Sequence, residues 1–254
     1  MNIKIITLNI EHGGKLLDDA ISFLNEQDPD ILFLQEAQET DQVTTKLHYK
    51  TVTEVTKRTQ LPYHVFSPFC EFVFGEVRIF HGNAVFSKYP LTFLETVYFV
   101  GSYETADFFG AQERHDYSEL PHAMQITSVQ LPHCTVQLLN VHGVWGRDGE
   151  DSEIRDAMVD KIIRKIDPTH PTIAAGDFNF QAYTHAARRL EEQLHSVFGQ
   201  TLTSTFNMRR KTDPGFATAS VDMIYVSKNV PVLSSACPQV EVSDHLPLVC
   251  ELEL

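Results

Sequence analysis

Residues 172–180 read Thr-Ile-Ala-Ala-Gly-Asp-Phe-Asn-Phe, TIAAGDFNF. An apolar run of strand length breaks into two polar residues, Asp177 and Asn179, spaced two apart. In extended backbone, residues i and i+2 face the same side, so the stretch delivers a carboxylate and an amide in one direction. Alone the pattern is weak, because Asp and Asn also end ordinary strands. It recurs, however. TLNIEHG (7–13) runs into Asn9 and Glu11, and QLLNVHG (137–143) into Asn140 and His142. DILFLQEA (30–37) adds Glu36, SDHLP (243–247) adds Asp244 and His245, and SVDMIYVS (220–227) places Asp222 inside an apolar strand. A carboxylate in such a strand is costly without a partner, and His245 is a chemically suitable one.

The chain around these stretches has the composition of a globular protein. Of its 254 residues, 43% are hydrophobic and 21% charged, enough material for one large domain with a real core. The formal charge of −14 excludes a protein that grips nucleic acid by a broad basic face, though not a local basic groove or a cation carried by the site. Cys70, Cys134, Cys237 and Cys250 show no CxxC pairing and read as buried free thiols, which fits a reducing, cytoplasmic setting. No run is long enough to span a membrane, the N-terminus begins as a strand rather than a signal peptide, and no feature assigns an oligomeric state.

Periodicity predicts strands over 3–8, 30–34, 84–86, 96–100, 124–131, 135–141, 172–175, 221–226 and 247–254. The run 31–34 within the second of these is apolar throughout and so buried on both faces. Helices are expected over 15–27, 152–166 and 183–195, where apolar residues recur at helical spacing. Many strands, few helices and no regular βαβ alternation favour two packed sheets with helices outside them, in a single domain over 1–254.

The polar set holds carboxylates, asparagines and histidines. Carboxylate and amide oxygens suit a hard cation such as Mg²⁺ or Mn²⁺. No HExxH, P-loop or GxSxG pattern is present, which disfavours zinc, nucleotide triphosphate binding through a P-loop and a serine esterase. A hard metal, an Asp–His pair and amide donors together suit phosphoester hydrolysis.

The stretches TLNIEHG, LFLQEA, GNAVFSKYPL, LLNVHG, AAGDFNF, SVDMIYVS and VSDHLPLV, in that order and over nearly the whole chain, resemble the endonuclease/exonuclease/phosphatase phosphohydrolases, related in fold to DNase I. The resemblance implies a four-layer α/β sandwich of two mostly antiparallel sheets with helices on both outer faces. It implies that Glu36 is the principal Mg²⁺ ligand, with Asn9 and Asp244 as metal or neighbouring groups. Asp177 would orient or activate water, Asn179 would hold a phosphate oxygen, and Asp222 would fix His245. Asp177 and His245 compete for the role of base. His142 would hydrogen-bond the phosphate or assist the leaving oxygen. The abasic-site branch of the family usually carries tyrosine in that region. Many nuclease members also carry arginine two residues before the aspartate matched by Asp222, where this chain has Ser220.

Three segments bear on the substrate. GVWGRDGEDSE (143–153) follows His142 and holds Trp145, the one tryptophan, and Arg147. Such a tryptophan either stacks on a ligand or packs inward. TSTFNMRRKTDPG (203–215) carries Arg209, Arg210 and Lys211, either as a phosphate-facing rim or as a solvated turn. VYFVGSYETADFFG (97–110) reads as rim or core. The expectation is a Mg²⁺-dependent phosphodiesterase with nucleic acid as the first substrate. The alternatives are a lipid headgroup, inositol phosphate or small nucleotide, and last a silent binding module on the same fold.

Overall fold

The computed structural model describes residues 1–254. In chain order its strands are β1 (Asn2–Asn9), β2 (Ile31–Glu39), β3 (Tyr63–Phe74), β4 (Val77–Ser87), β5 (Leu91–Val100), β6 (His122–Gln130), β7 (Thr135–His142), β8 (Thr172–Asp177), β9 (Leu194–Ser196), β10 (Asp222–Ser227), β11 (Val232–Ala236) and β12 (Leu248–Glu253). The helices are α1 (Leu17–Gln27), α2 (Thr51–Arg58), α3 (Phe108–Arg114), α4 (Glu153–Lys165) and α5 (His185–Gln193).

The strands form two six-stranded sheets, ordered β11-β12-β1-β2-β4-β3 and β5-β6-β7-β8-β10-β9. Each sheet has one parallel pair, β1 with β2 and β7 with β8, among antiparallel neighbours. Helix α1 connects the first pair and α4 the second, so two βαβ units sit inside an otherwise antiparallel architecture.

Alternation along the strands sorts side chains into layers. In β1, Ile3 and Ile5 face the opposite sheet, where they meet Leu138, Ile173 and Ile224 in a core between the sheets. Ile6 and Leu8 face outward, onto α1 and α2 through Leu17, Ile21, Leu24 and Val55. On the other side Leu139, Val141, Met223 and Tyr225 meet α4 and α5 through Met158, Ile162, Ala187 and Leu190. The result is the expected four layers, with helices on both outer faces. Each of these fully buried aliphatic side chains contributes on the order of 1.5–3 kcal/mol. No helix is long and apolar enough to cross a membrane.

Strands β3, β9 and β11 and helices α2 and α3 fall outside the expected elements. Strand β3 contains Pro68, which cannot donate to a ladder. It forms nonetheless at the sheet edge, with a register shift between Pro68 and Cys70, where proline is tolerated. Helix α2 reads Thr-Val-Thr-Glu-Val-Thr-Lys-Arg, a β-branched run that favours strand locally. Burial of Val52 and Val55 against the outer core decides in favour of the helix.

Between the sheets lies a buried polar layer. Asn140 donates to the Leu34 and Ala84 carbonyls at 3.0 and 3.1 Å and accepts from Gln35 at 2.7 Å. Asn83 donates to the Ala123 and Asn140 carbonyls at 2.9 and 3.1 Å. Asn140 therefore ties the sheets together rather than facing the cavity described next.

Candidate active site

The inner phase of the strands ends in polar groups. Asn9 continues the Ile3–Ile5–Thr7 phase of β1, and His142 and Asp177 end β7 and β8 directly opposite one another in register. Asp222 pairs in register with Asp177 from the other side. Gly176 precedes Asp177 with φ 145°, and a Cβ there would collide with the Val141 carbonyl, so only glycine lets β7 and β8 approach at this point.

Glu36 reaches the same end by another route. Strand alternation would send it outward with Leu32 and Leu34, but the ladder of β2 with β4 slips between Leu34 and Ala37. Glu36 sits in that slip with φ 59°, a left-handed conformation uncommon for a residue with a side chain. The irregularity turns the carboxylate inward. His12, His115 and Asn179 share left-handed backbone and line the same cavity, a clustering of strain that marks functional sites.

The floor of the cavity is one connected network. Asn9 Nδ2 donates to Glu36 Oε1 at 3.0 Å and to Asp177 Oδ2 at 3.2 Å, joining the two sheets. The His12 N–H donates to Glu36 Oε2 at 2.7 Å, and His12 Nδ1 lies 3.1 Å from the same oxygen. Burial disfavours charge on Glu36, but the His12 ring and the His12 N–H outweigh it and hold the carboxyl well below its usual range. Across the floor, His245 Nδ1 is 2.8 Å from Asp222 Oδ2, and its Nε2 is 3.9 Å from Asp177 Oδ2. Burial opposes protonation of His245, yet Asp222, with Asp244 and Asp177 behind it, pushes its pKa up to about 10. Burial and the neighbouring Asp222 raise the pKa of Asp177, against the pull of His245 and the Asn179 N–H. That N–H donates to Asp177 Oδ1 at 2.9 Å, while the Asn179 side chain donates to the Gly143 carbonyl at 3.0 Å. Asp244 Oδ2 holds the Lys211 ammonium at 2.7 Å.

The donor set suits a hard cation on chemical grounds. Glu36 is ionised, and the Asn9 amide bridges two carboxylates, a place where a cation is the alternative bridge. Asp177, Asp222 and His245 also bring ligand atoms within 4.8 Å of one another.

The remaining cavity wall is aromatic. Trp145 meets Tyr117 edge to face at 5.6 Å, and Tyr117 leads to Phe108 at 6.4 Å and Phe108 to Phe72 at 4.9 Å. Phe72 continues to His81 at 4.9 Å, and Phe69 meets His142 at 5.9 Å. Burial pushes the pKa of His81 and His122 down to about 3, so both rings are neutral, and burial lowers His142 as well. The wall draws on β3, β4, α3 and the loop 143–153. That loop is clamped by buried Arg155, which donates to the Gly146 carbonyl at 3.3 Å and to Asp148 at 3.2 Å.

The eight strand-end residues Asn9, Glu36, His142, Asp177, Asn179, Asp222, Asp244 and His245 converge from both sheets, and Trp145 and Arg147 join them in the cavity lining. Asp222 stands just behind the lining, on His245. Arg209 and Arg210 do not line the cavity. Arg209 is exposed beside Glu241 at 3.2 Å, and Arg210 Nη2 lies 2.9 Å from Glu11. Lys211, the third member of that basic run, is the one that lines it. Sequence reasoning missed His12, His81, His122 and Tyr117, whereas Phe108 lies in the stretch 97–110 read as rim or core. Of the four, only His12 carried a local signal, its place beside Glu11 in a matched stretch.

A profile of the Endonuclease/Exonuclease/phosphatase family matches residues 6–245. No curated protein matches the chain. Among solved structures, an endonuclease/exonuclease/phosphatase from Beutenbergia cavernae superposes with a TM-score of 0.75 at 16% identity, covering 100% of this chain and 72% of that one. A family protein from Leptotrichia buccalis gives 0.72 at 17% identity, covering 99% and 100%. A mannosyl-6-phosphatase from Bacteroides thetaiotaomicron gives 0.70 at 14%, covering 99% and 100%. With the profile match spanning both sheets and every strand-end group of the floor, the chain belongs to the endonuclease/exonuclease/phosphatase family of phosphoester hydrolases.

Proposed function

We propose that the protein, as one catalytic domain over 1–254, is a Mg²⁺-dependent phosphodiesterase in which Glu36, Asn9 and Asp244 hold the metal and Mn²⁺ substitutes for it. When bound, the metal neutralises phosphate charge. The observation that carries the reading is His245, fixed by Asp222 at 2.8 Å with its other nitrogen facing Asp177 at 3.9 Å.

The charge states divide the roles. With a pKa near 10, His245 is an imidazolium at neutral pH and has no lone pair for a water proton. It is suited to stabilising the developing charge on a non-bridging phosphate oxygen. Asp177, with its pKa raised, is the stronger base of the two in these states. Asp177 accepts the proton of the attacking water as the new P–O bond forms. The P–O bond to the alcohol breaks on the opposite side, and the leaving oxygen takes a proton from solvent beside His142. Asn179 orients a phosphate oxygen.

Of the substrate classes raised by the sequence, nucleic acid asks for free cations along a groove. Arg209, Arg210 and Lys211 each sit on a carboxylate, which favours a small phosphoester over a polymer. The four free thiols support a cytoplasmic setting. The test is hydrolysis of bis(p-nitrophenyl) phosphate and of supercoiled plasmid with Mg²⁺, alongside Asp177→Asn and His245→Ala. Turnover by the wild type that is lost in both variants is expected. The absence of any Mg²⁺- or Mn²⁺-stimulated turnover overturns the reading.

A further inference from the structure

The catalytic floor accounts for only part of the cavity. The cavity has a volume of about 750 Å³, within the range of about 300–1,000 Å³ typical of small-molecule sites. A single phosphate over the floor leaves most of it for the rest of the substrate. The space is bounded by Phe72, Phe108, Tyr117 and Trp145, whose rings touch edge to face or tilted in an unbroken series. Such rings present π-faces to a guest.

A second observation points independently to a ligand here. His142 lines the cavity and is only 8% exposed. His122 stands beside it, ring to ring at 5.4 Å, with Nδ1 2.7 Å from the Leu120 carbonyl. A carbonyl only accepts, so Nδ1 carries the hydrogen and leaves Nε2 as a bare acceptor. His122 Nε2 is therefore the acceptor that this corner offers to the polar edge of a guest.

The charges narrow the class. The His245 imidazolium is taken up by Asp222, and the lysine and arginine of the lining are Lys211 and Arg147. Lys211 is held by Asp244, which leaves Arg147 for an anionic group. A guest with several phosphates would find one free cation. A long lipid chain would cross a corner lined by His81, His122 and His142.

We propose that the alcohol part of the substrate is a compact, flat, uncharged ring that stacks against the wall of Phe108, Tyr117 and Trp145. The proposal rests on the phosphoester hydrolase reading, and binding separates the two. Calorimetry in Mg²⁺ buffer compares phenylphosphonate with methylphosphonate, neither of which can be hydrolysed. Turnover compares benzyl phosphate with n-butyl phosphate, each also as its methyl diester, because these alcohols leave with similar ease. An oligonucleotide serves as competitor.

The expected result is binding of the phenyl compound tighter by about tenfold, the scale of one stacked ring, with a matching preference in kcat/KM carried mostly by KM. Tyr117→Ala and Trp145→Ala narrow that ratio to about threefold or less, and Trp145→Phe restores it. Equal affinity for the two phosphonates, or an oligonucleotide that displaces the phenyl compound, overturns the inference and leaves the hydrolase reading standing. Preferential phenyl binding with no turnover of any ester sustains the inference and overturns the hydrolase reading.

Discussion

The floor and the wall of one cavity are built by opposite strategies. The floor is mainly a set of strand ends. Asn9, His142, Asp177 and Asp222 each terminate an alternating strand on its inner phase, so rigid sheets on two sides fix their positions. The wall is gathered from the edge strand β3, its neighbour β4, the short helix α3 and two loops. The floor concentrates charge at an energetic cost, as the raised pKa of Asp177 beside Asp222 records. The wall is close packing of aromatic rings. Within one family, a shared reaction calls for a rigid floor, whereas the wall is free to differ with the substrate.

Substitutions on the two sides should therefore fail differently. The largest effect is expected for Asp177→Asn, with kcat lower by about 10³-fold and, at pH 8 without metal, a melting temperature higher by about 2–4 °C for about 1 kcal/mol. Relief of the buried repulsion with Asp222 is the cause. Thermal unfolding and turnover on one preparation decide it, and a fall in melting temperature would mean that the floor is not strained. Phe72→Ala in the wall should do the reverse to stability, with a loss of about 3 kcal/mol in urea unfolding from removal of a 2% exposed ring. A loss below about 1 kcal/mol would show that the wall collapses to fill the space.

Glu36→Gln removes the charge but keeps the shape, including acceptance of the His12 N–H. The Mg²⁺ concentration at half-maximal activity should rise by about tenfold or more. An unchanged metal titration would place the cation elsewhere on the floor. The mildest test is a pH profile. Activity requires Asp177 ionised and His245 protonated. The rate should rise as Asp177 loses its proton above the ordinary carboxylate range, and fall as His245 loses its own near 10. An alkaline limb near 6.5, the ordinary histidine value, would mean that Asp222 does not hold the imidazolium.

The two sides also differ in how far they could be read in advance. The pairs Asn140–His142 and Asp177–Asn179 follow from the two-residue period of a strand, a property of a few adjacent residues. That logic identified the strand ends, and the cost of burying an unpaired carboxylate pointed from Asp222 to His245. It could not show that Asn140 would be taken up in tying the sheets together, since that depends on Leu34, Ala84 and Gln35 arriving from the other sheet. Nor could it show that Glu36 faces inward, because the slip in β2 reverses its side. The basic run 209–211 was legible as charge, but which member faces the cavity depends on where Glu241, Glu11 and Asp244 come to lie.

By itself, then, the sequence determined the strand pattern, the layered class of the fold and the chemistry of the groups at the strand ends, because those rest on periods of two and on residue type. Only the tertiary structure decided which groups meet. Asn9 and Asp177 are separated by 168 residues and join at 3.2 Å. The aromatic wall assembles from segments whose local pattern is indistinguishable from core. Contacts of that kind depend on how two sheets twist and pack against each other, and a chain's local periodicity holds no record of it.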